Sequence, residues 1–586
     1  MTGARPGAGA AGTDAAGIGA AARSRAGTGA DGRGRMPAAA GAGPGPLPEG
    51  FRIELDPATK QLSGDVIFGG SPARALRLSA AGRGALEELR AGPVWSAASG
   101  VLARRLTDAG LAHPRPPAPA SAPDVTVLIP VRDRPRQLDR CLAALAGRYP
   151  VLVVDDGSAD QAVIAAIAAR HAATLIRRPL AGGPAAARNT GLAAIGAGAV
   201  AASAVGPAAV GAEAVALLDS DCVPPPDWIV KLAAHLADPL VGAVAPRVVP
   251  AAAAMSRPDR AAAAVSRPGP EADAVSRPGL EADAVSRPER PAGTSSAARY
   301  AAARGTLDLG GSEARVVPMT KVSYVPTAAL LVRRSALDSV ARDGGAVFDP
   351  ELRYGEDVDL VWRLHDAGWR IRYEPAVAVR HDDPDTWPGL LGRRFRYGTS
   401  AAPLARRHPG QLAPLVLHPW PAAVVAAALA RRPVLTAAAA AGSWLSLSRA
   451  VRAAGLPADG VTAAAATSVR QTWLGTGRYA TQFAGPALAF ALAAPGGRTR
   501  AVRWGRRAAI ASLLLGPAID AWRNGERTLG PARFTAGCVA DDIAYGAGVW
   551  AGCARSRTLT PLLPKVAWRP LRVTRERNTA DGQHLV

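Results

Sequence analysis

The sequence predicts an α/β protein: a doubly wound, mainly parallel sheet, with a small N-terminal winged-helix-like module and an Ala-rich helical C-terminal region. Three observations carry the central part. From Asp124 onward, apolar runs of strand length alternate with stretches of helical period, the pattern of βαβ units. The runs Val125–Val131, Val151–Val154 and Ala214–Leu218 are apolar enough for strands covered on both faces. Two of them stop in acids, Asp155-Asp156 and Asp219-Ser220-Asp221, where open α/β sheets bind their ligands.

Residues 1–46 are rich in Gly, Ala and Arg, without the apolar core of a signal peptide, and read as a disordered tail. Residues 47–113 carry the small module. Phe51–Leu55 alternates like an edge strand, Val66–Phe68 looks like its hairpin partner, and Gly82–Leu89 and Ala97–Ala109 have helical character. The size suits a peptide- or acceptor-reading domain and equally a structural cap on the sheet domain. Residues 114–123 form a Pro/Ala linker.

The sheet domain spans 124–400. Arg134–Leu145 is a helix with Leu138, Leu142 and Leu145 on one face, and the strand Val151–Val154 precedes a helix ending at Arg170. A Gly-rich turn at Gly182-Gly183 opens the next helix and offers outward amides to an anion. Ala193–Gly211 reads as a loose loop. Four Ser-Arg-Pro units at ten-residue spacing mark 251–298 as a disordered insertion, because a Pro in every copy prevents a packed solenoid. Tyr324–Val332 reads as a strand, the segment after Gly355 as a helix stopped by Gly368, and Ile371–Val379 as a strand ending at Arg380-His381. Residues 401–560 are Ala-rich and helical, and 561–586 form a basic tail.

At 586 residues the chain is long enough for about two or three domains. A formal net charge of +22 suits substrate phosphates or an anionic membrane face. It also suits nucleic acid, but there is no zinc-finger spacing, RNA-binding aromatic motif or basic-region helix, so no nucleic-acid partner is expected. The four cysteines lie far apart and form no Cys-x-x-Cys pair, so neither a zinc site nor a disulfide framework is indicated, which fits a reducing, cytosolic setting. Asp219 and Asp221 flank a small residue after a buried strand. Hard oxygen donors there suit Mg²⁺ or Mn²⁺ with a substrate diphosphate, while a plain turn before the Pro-rich Val223–Pro226 is the competing reading.

Taken together, Val127–Arg134, Val154-Asp155-Asp156-Gly157-Ser158, Ala187-Arg188-Asn189-x-Gly191, Asp219-Ser220-Asp221 and Gly355-Glu356-Asp357-Val358-Asp359-Leu360 resemble the family 2 glycosyltransferases of the GT-A fold. The resemblance implies a nucleotide-sugar site at Pro130, Asp155, Asp156, Arg188, Asp219 and Ser220, with Asn189 shaping the turn. It implies a divalent ion, Mg²⁺ or Mn²⁺, on Asp219 and Asp221 with His381 as a distal ligand, although a structural role for His381 is equally open. It implies Asp357 as general base with Glu356 beside it, although helix-start acids also occur for the macrodipole alone. Arg396 and Tyr397 stand where an acceptor motif of processive synthases lies, but Arg393 and Tyr397 replace its Gln and Trp, which leaves processivity open.

The N-terminal Leu47-Pro48-x-Gly50-Phe51-Arg52-Ile53, Gly69-Gly70-Ser71-Pro72 and Ala109–Pro114 resemble the glycosyltransferases of the mycofactocin system. That implies an inverting transfer of β-linked glucose, in β-1,4 linkage where chains are built, from UDP-glucose to a peptide-derived small-molecule acceptor. Rival readings are a membrane β-glycan or cell-wall glycosyltransferase and a non-catalytic sugar-nucleotide-binding scaffold. Pro409–Ala430 and Tyr479–Gly497 are charge-free and near the roughly 20 residues that span a bilayer. With flanking arginines they place the protein at the cytoplasmic face of the membrane; an Ala-rich soluble bundle is the alternative.

Overall fold

A computed structural model describes residues 45–118, 124–197, 213–251, 295–342, 344–453, 458–494, 499–525, 527–567 and 572–575. Nine strands form the central sheet: β1 Val125–Val131, β2 Val151–Asp155, β3 Thr174–Arg177, β4 Ala214–Leu218, β5 Cys222–Val223, β6 Val241–Pro250, β7 Ala314–Val316, β8 Ala329–Arg333 and β9 Arg370–His381. Their order is β5-β9-β6-β8-β4-β1-β2-β3, with β7 also on β9. β4, β1, β2 and β3 run parallel, β6 and β9 pair in parallel, and β8 lies antiparallel between β6 and β4. The mainly parallel sheet expected from the sequence is therefore present.

Alternate side chains feed two cores, one on each face. Val127, Ile129 and Val153 pack with Leu138 and Leu142, whereas Leu128, Leu152 and Val154 pack with Leu192, Ile195, Leu360 and Trp362. Each such buried side chain contributes about 1.5–3 kcal/mol. β6 has no counterpart in the sequence reading. Gly242, Pro246 and Pro250 interrupt its apolar run, and the ladder absorbs Pro246 by a register shift between it and Arg247.

Several expected boundaries move. Val66–Gly69 does not pair with the first strand: it lies between Lys60–Ser63 and Arg74–Arg77, while Arg52–Leu55 pairs antiparallel with Ala112–Arg115. That long-range pairing draws Pro114 and Arg115 out of the expected linker, of which 119–123 lies outside the described residues. The helix expected to end before Ala193 runs to Gly196 because Ile195 is buried in the core, and 198–212 lies outside the described residues. Of the expected insertion, 252–294 lies outside the described residues, but its last part is ordered. Ser295 caps the helix Ser296–Ala303, and Ala297 and Tyr300 are buried. The N-terminal tail up to residue 44 also lies outside them.

The C-terminal half is helical. Of the two segments expected to approach spanning length, the first is helical over Pro419–Leu429, and the second is the latter part of Val461–Ala493, kinked at Ala484 just ahead of Pro486. Among the described residues the one helix long and apolar enough to cross a bilayer is Pro433–Ala453. The expected basic tail contributes two short strands: Lys565–Val566 pairs with Val416–Leu417, and Arg572–Arg575 joins the edge of the N-terminal sheet beside Arg74–Arg77.

Ion pairs fix the N-terminal module to the sheet domain. Arg104 binds Asp238 in bidentate fashion at 2.6 and 2.8 Å, with both side chains buried. Arg370 pairs with Asp108 at 2.6 Å, and Glu313 accepts from both Arg372 and Arg115. Breaking a buried pair from one side leaves an uncompensated charge, so Arg104→Ala is expected to cost about 3–5 kcal/mol. Urea unfolding monitored by tryptophan fluorescence measures this, and a loss below about 1 kcal/mol would show that the pair does not hold the module.

Candidate functional site

The carboxyl ends of β1, β2, β4 and β9 open onto a cleft of about 1050 Å³. Pro130, Asp156, Arg188, Asp219, Ser220, Asp221, Glu356, Asp357, His381, Arg396 and Tyr397 all line it. Asp155 stands behind, buried, accepting from Arg177 and from the Ser158 amide.

β4 delivers the first acids. The turn after Leu218 carries Asp219-Ser220-Asp221 straight into β5, which runs antiparallel to the end of β9 with Cys222 opposite His381. That register brings His381 Nε2 to 3.7 Å from Asp221 Oδ1, with Nδ1 3.5 Å from Asp383. Burial pulls the His381 imidazole towards neutrality, but Asp383 and Asp221 outweigh it and raise its pKa. Two carboxylates and an imidazole whose far nitrogen faces an acid are donors that fit a divalent ion in kind. Their orientation is another matter: Asp221 is paired with Arg134 and Asp219 with Arg188, and no ready cluster of three donors exists among the described residues.

Arg188 is the centre of the site. It projects from the helix Gly183–Gly196 (α1), almost fully buried, with Nη1 2.9 Å from Glu356 Oε1 and Nη2 2.7 Å from Asp219 Oδ1. Expected to offer its guanidinium to the nucleotide or diphosphate, it lines the cleft and is held there by these two acids. Its neighbours explain the rest of the motif. Asn189 ties α1 to the segment ahead of the second acidic motif, donating to the Phe348 carbonyl and accepting from the Val347 and Phe348 amides. At Gly191 a Cβ would stand 2.2 Å from Leu128 Cδ1, so a larger residue there would have to push the buried Leu128 side chain aside.

The amides of the Gly-rich turn are also occupied. Gly182 and Gly183 donate to the Asp156 carboxylate at 2.7–3.1 Å, and Arg178 pairs with the same group. The anion that the turn was expected to hold is thus supplied by the chain's own Asp156.

The helix Glu356–Asp366 (α2) begins with Gly355 at φ +81°, a left-handed residue that turns the chain so that Glu356 and Asp357 enter the cleft. Burial raises the pKa of Glu356 despite the facing Arg188. Burial and then the Glu356 charge push Asp357 up to about 7, against its bond from the Val358 amide and the field of Arg188. Tyr324 nearby is pushed up to about 12 by burial and by Asp357. Tyr397, on the helix Trp387–Thr399 (α3), meets Tyr354 edge-on with centroids 6.4 Å apart. Sequence reasoning missed Tyr324 and Tyr545, which also line the cleft and sit in no motif, and gave the cleft-lining Arg394, inside the Arg393–Tyr397 stretch, no role of its own.

Residues 122–400 match the family described as glycosyltransferase like family 2. Two proteins of Mycobacterium tuberculosis, from strains CDC 1551 / Oshkosh and ATCC 25618 / H37Rv, are both named pre-mycofactocin glycosyltransferase. Each is 36% identical over 533 residues, covering 89% of this chain and 98% of the relative. Solved structures of GalNAc-T7 with UDP, GalNAc and Mn²⁺ (11% identity, 49% of this chain and 52% of that one) and of S. aureus TarS 1–349 with UDP (16%, 47% and 65%) superpose with TM-scores of 0.28. Superposition at that level has no bearing on the site.

In Gly355→Ala, the new Cβ would meet Ser400 Cβ and Leu404 Cδ1 at 2.9 Å in a left-handed backbone. The expected cost is about 1–3 kcal/mol, read as a lowered thermal midpoint. An unchanged midpoint would mean that α2 does not need this turn.

Proposed function

Because the chain belongs to the family 2 glycosyltransferases, we propose that it transfers glucose from UDP-glucose, with inversion to a β-linkage, onto the peptide-derived acceptor of mycofactocin biosynthesis. The observation that carries the reading is Asp357, an acid with a pKa of about 7 in the same cleft as the strand-end acids Asp219 and Asp221. The name of the M. tuberculosis relatives and the length of their match support the choice of acceptor. Building of β-1,4 oligoglucose is an extension of the same reading.

In this proposal Asp357 takes the proton from the acceptor hydroxyl as its oxygen attacks the anomeric carbon, and the nucleotide diphosphate leaves from the opposite side. A carboxylate of ordinary acidity would be a weak base for an alcohol, and its raised pKa improves the match. Glu356, held by Arg188, keeps the base in register and contributes to its raised pKa. Asp156, with Asp155 behind it, lies at the strand end suited to the nucleotide base or ribose, and Pro130 and Ser220 shape the donor end of the cleft. Arg188 acts through the two carboxylates it holds. Mg²⁺ or Mn²⁺ held by Asp219, Asp221 and His381 would offset charge developing on the diphosphate. Arg396 and Tyr397 face the acceptor. The N-terminal module supports acceptor recognition from one side, where the Lys321 amide donates to Ser71 Oγ beside the cleft-lining Thr320.

We also propose attachment to the cytoplasmic face of the membrane. Val434 and Leu435 are exposed at the start of the helix Pro433–Ala453, Trp504 is exposed on the neighbouring helix Arg500–Asn524, and Arg431 bonds the Val502 carbonyl between them. Apolar side chains among arginines suit an anionic leaflet. The protein is expected to sediment with phosphatidylglycerol-containing vesicles and less so as Val434→Asp/Trp504→Asp; equal sedimentation of both would remove this part of the proposal.

The catalytic reading is tested by kinetics with saturating UDP-glucose and acceptor. Asp357 works as a base only when ionised, so kcat should rise with pH up to about 7 and then level off. Asp357→Asn should lower kcat by about 10²–10⁴-fold with UDP affinity retained. A flat profile across this range, or a fully active Asp357→Asn protein, would overturn the assignment.

A further inference from the structure

We infer that the C-terminal helix Pro531–Ser556 (α4) builds the acceptor end of the cleft: Tyr545 and Arg394 contact a ring-shaped, hydroxyl-bearing acceptor, and Asp541 positions Arg394. The inference rests on the glycosyltransferase reading of the cleft and extends it to a region beyond residue 400, where the family match ends.

Close packing of α3 against α4 brings this helix to the site. A Cβ on Gly548 would stand 1.9 Å from the Phe395 carbonyl oxygen, and one on Gly398 would stand 2.2 Å from that of Tyr545. The two helices therefore touch backbone to backbone, which holds α4 at a fixed distance from the cleft and leaves Tyr545 in its wall. Glycines on both helices permit this approach, and no larger residue could.

The chemistry comes from the side chains that α4 presents. Asp541 Oδ1 lies 2.8 Å from Arg394 Nε, with both side chains mostly buried. The Arg394 guanidinium carbon sits 5.0 Å from the centroid of the Tyr545 ring, within cation–π range. One acid and one ring thus set the orientation of a cleft-lining arginine. The same end is rich in tyrosine: Tyr324, Tyr354, Tyr397 and Tyr545 make up half of the eight tyrosines in the chain. Tyr354, which directly precedes the Gly355-Glu356-Asp357 step, meets Tyr397 edge-on with centroids 6.4 Å apart, and Arg394 lies one helical turn before Tyr397, so these groups stand at the end of the cleft that holds the base. Rings that carry a hydroxyl offer an apolar face and a polar edge, the combination that a sugar or phenolic acceptor requires. A long aliphatic acceptor would make little use of it.

The test separates the two ends of the cleft with two probes, p-nitrophenyl β-glucoside for the ring acceptor and UDP for the donor, titrated calorimetrically into the full-length protein. Tyr545→Leu and Asp541→Asn are each expected to weaken glucoside binding about tenfold while UDP affinity stays unchanged; Asp541→Asn also lowers the thermal midpoint, because it leaves the mostly buried Arg394 charge unpaired. Tyr545→Phe should recover most of the glucoside affinity, because the ring is kept. Unchanged glucoside affinity in Tyr545→Leu, a parallel fall in UDP affinity, or no glucoside binding by the unaltered protein would overturn the inference. Transfer to the mycofactocin precursor is scored separately. Normal glucoside binding without transfer would refute the proposed acceptor and leave this assignment standing.

Discussion

The site depends on one buried cation. Arg188 joins three parts of the chain that are remote in sequence: α1, the end of β4 through Asp219, and the start of α2 through Glu356, 168 residues away. A guanidinium is suited to this because its planar fork serves two carboxylates at once and cannot lose its proton. The pair of acids in turn makes burial of the charge tolerable, since either acid alone would leave part of the desolvation cost uncompensated. The clamp also sets the chemistry. Asp357 responds to burial and Glu356 in one direction and to Arg188 and the Val358 amide in the other, and a pKa of about 7 is where those influences settle. Without Arg188 the two adjacent acids would be driven further towards the neutral form, and the proposed base would be lost.

The needs of the clamp explain why the motif around Arg188 has its particular residues. Arginine supplies the charge, Asn189 hooks the helix to the chain just ahead of Phe348, and Gly191 lets α1 sink onto Leu128. A side chain at Gly191 would have to displace the buried Leu128 side chain under α1, the helix that carries Arg188. Gly355 does the corresponding work on the other side, turning α2 so that its first acids face the clamp.

Much of this was legible in the sequence because it is local. Apolar runs marked β1, β2 and β4, the acids that follow two of them marked the cleft ends of β2 and β4, and the Gly355-Glu356-Asp357 step marked the start of α2. What stayed hidden depends on contacts between distant segments. β6 is broken up by prolines and becomes a strand only because β8 and β9 flank it. Arg52–Leu55 reads as half of a hairpin, and its true partner lies some sixty residues on, at Ala112–Arg115. Arg188 stands out in its motif, but its pairing with Asp219 and Glu356, far away in sequence, is a matter of geometry. Tyr545 gives no sequence signal at all: it lies on an Ala- and Gly-rich helix, and its place in the cleft follows from glycine contacts with α3.

The proposed reaction has Asp357 acting as a base in a single displacement, with no covalent sugar intermediate on the protein. The most direct measurement is the anomeric configuration of the first product formed from UDP-α-glucose, read from the ¹H NMR coupling of the anomeric proton before any equilibration. A single displacement predicts a β-glucoside. An α-glucoside would require two displacements or a front-face reaction, and would contradict both the role of Asp357 as base and that of the clamp that tunes it.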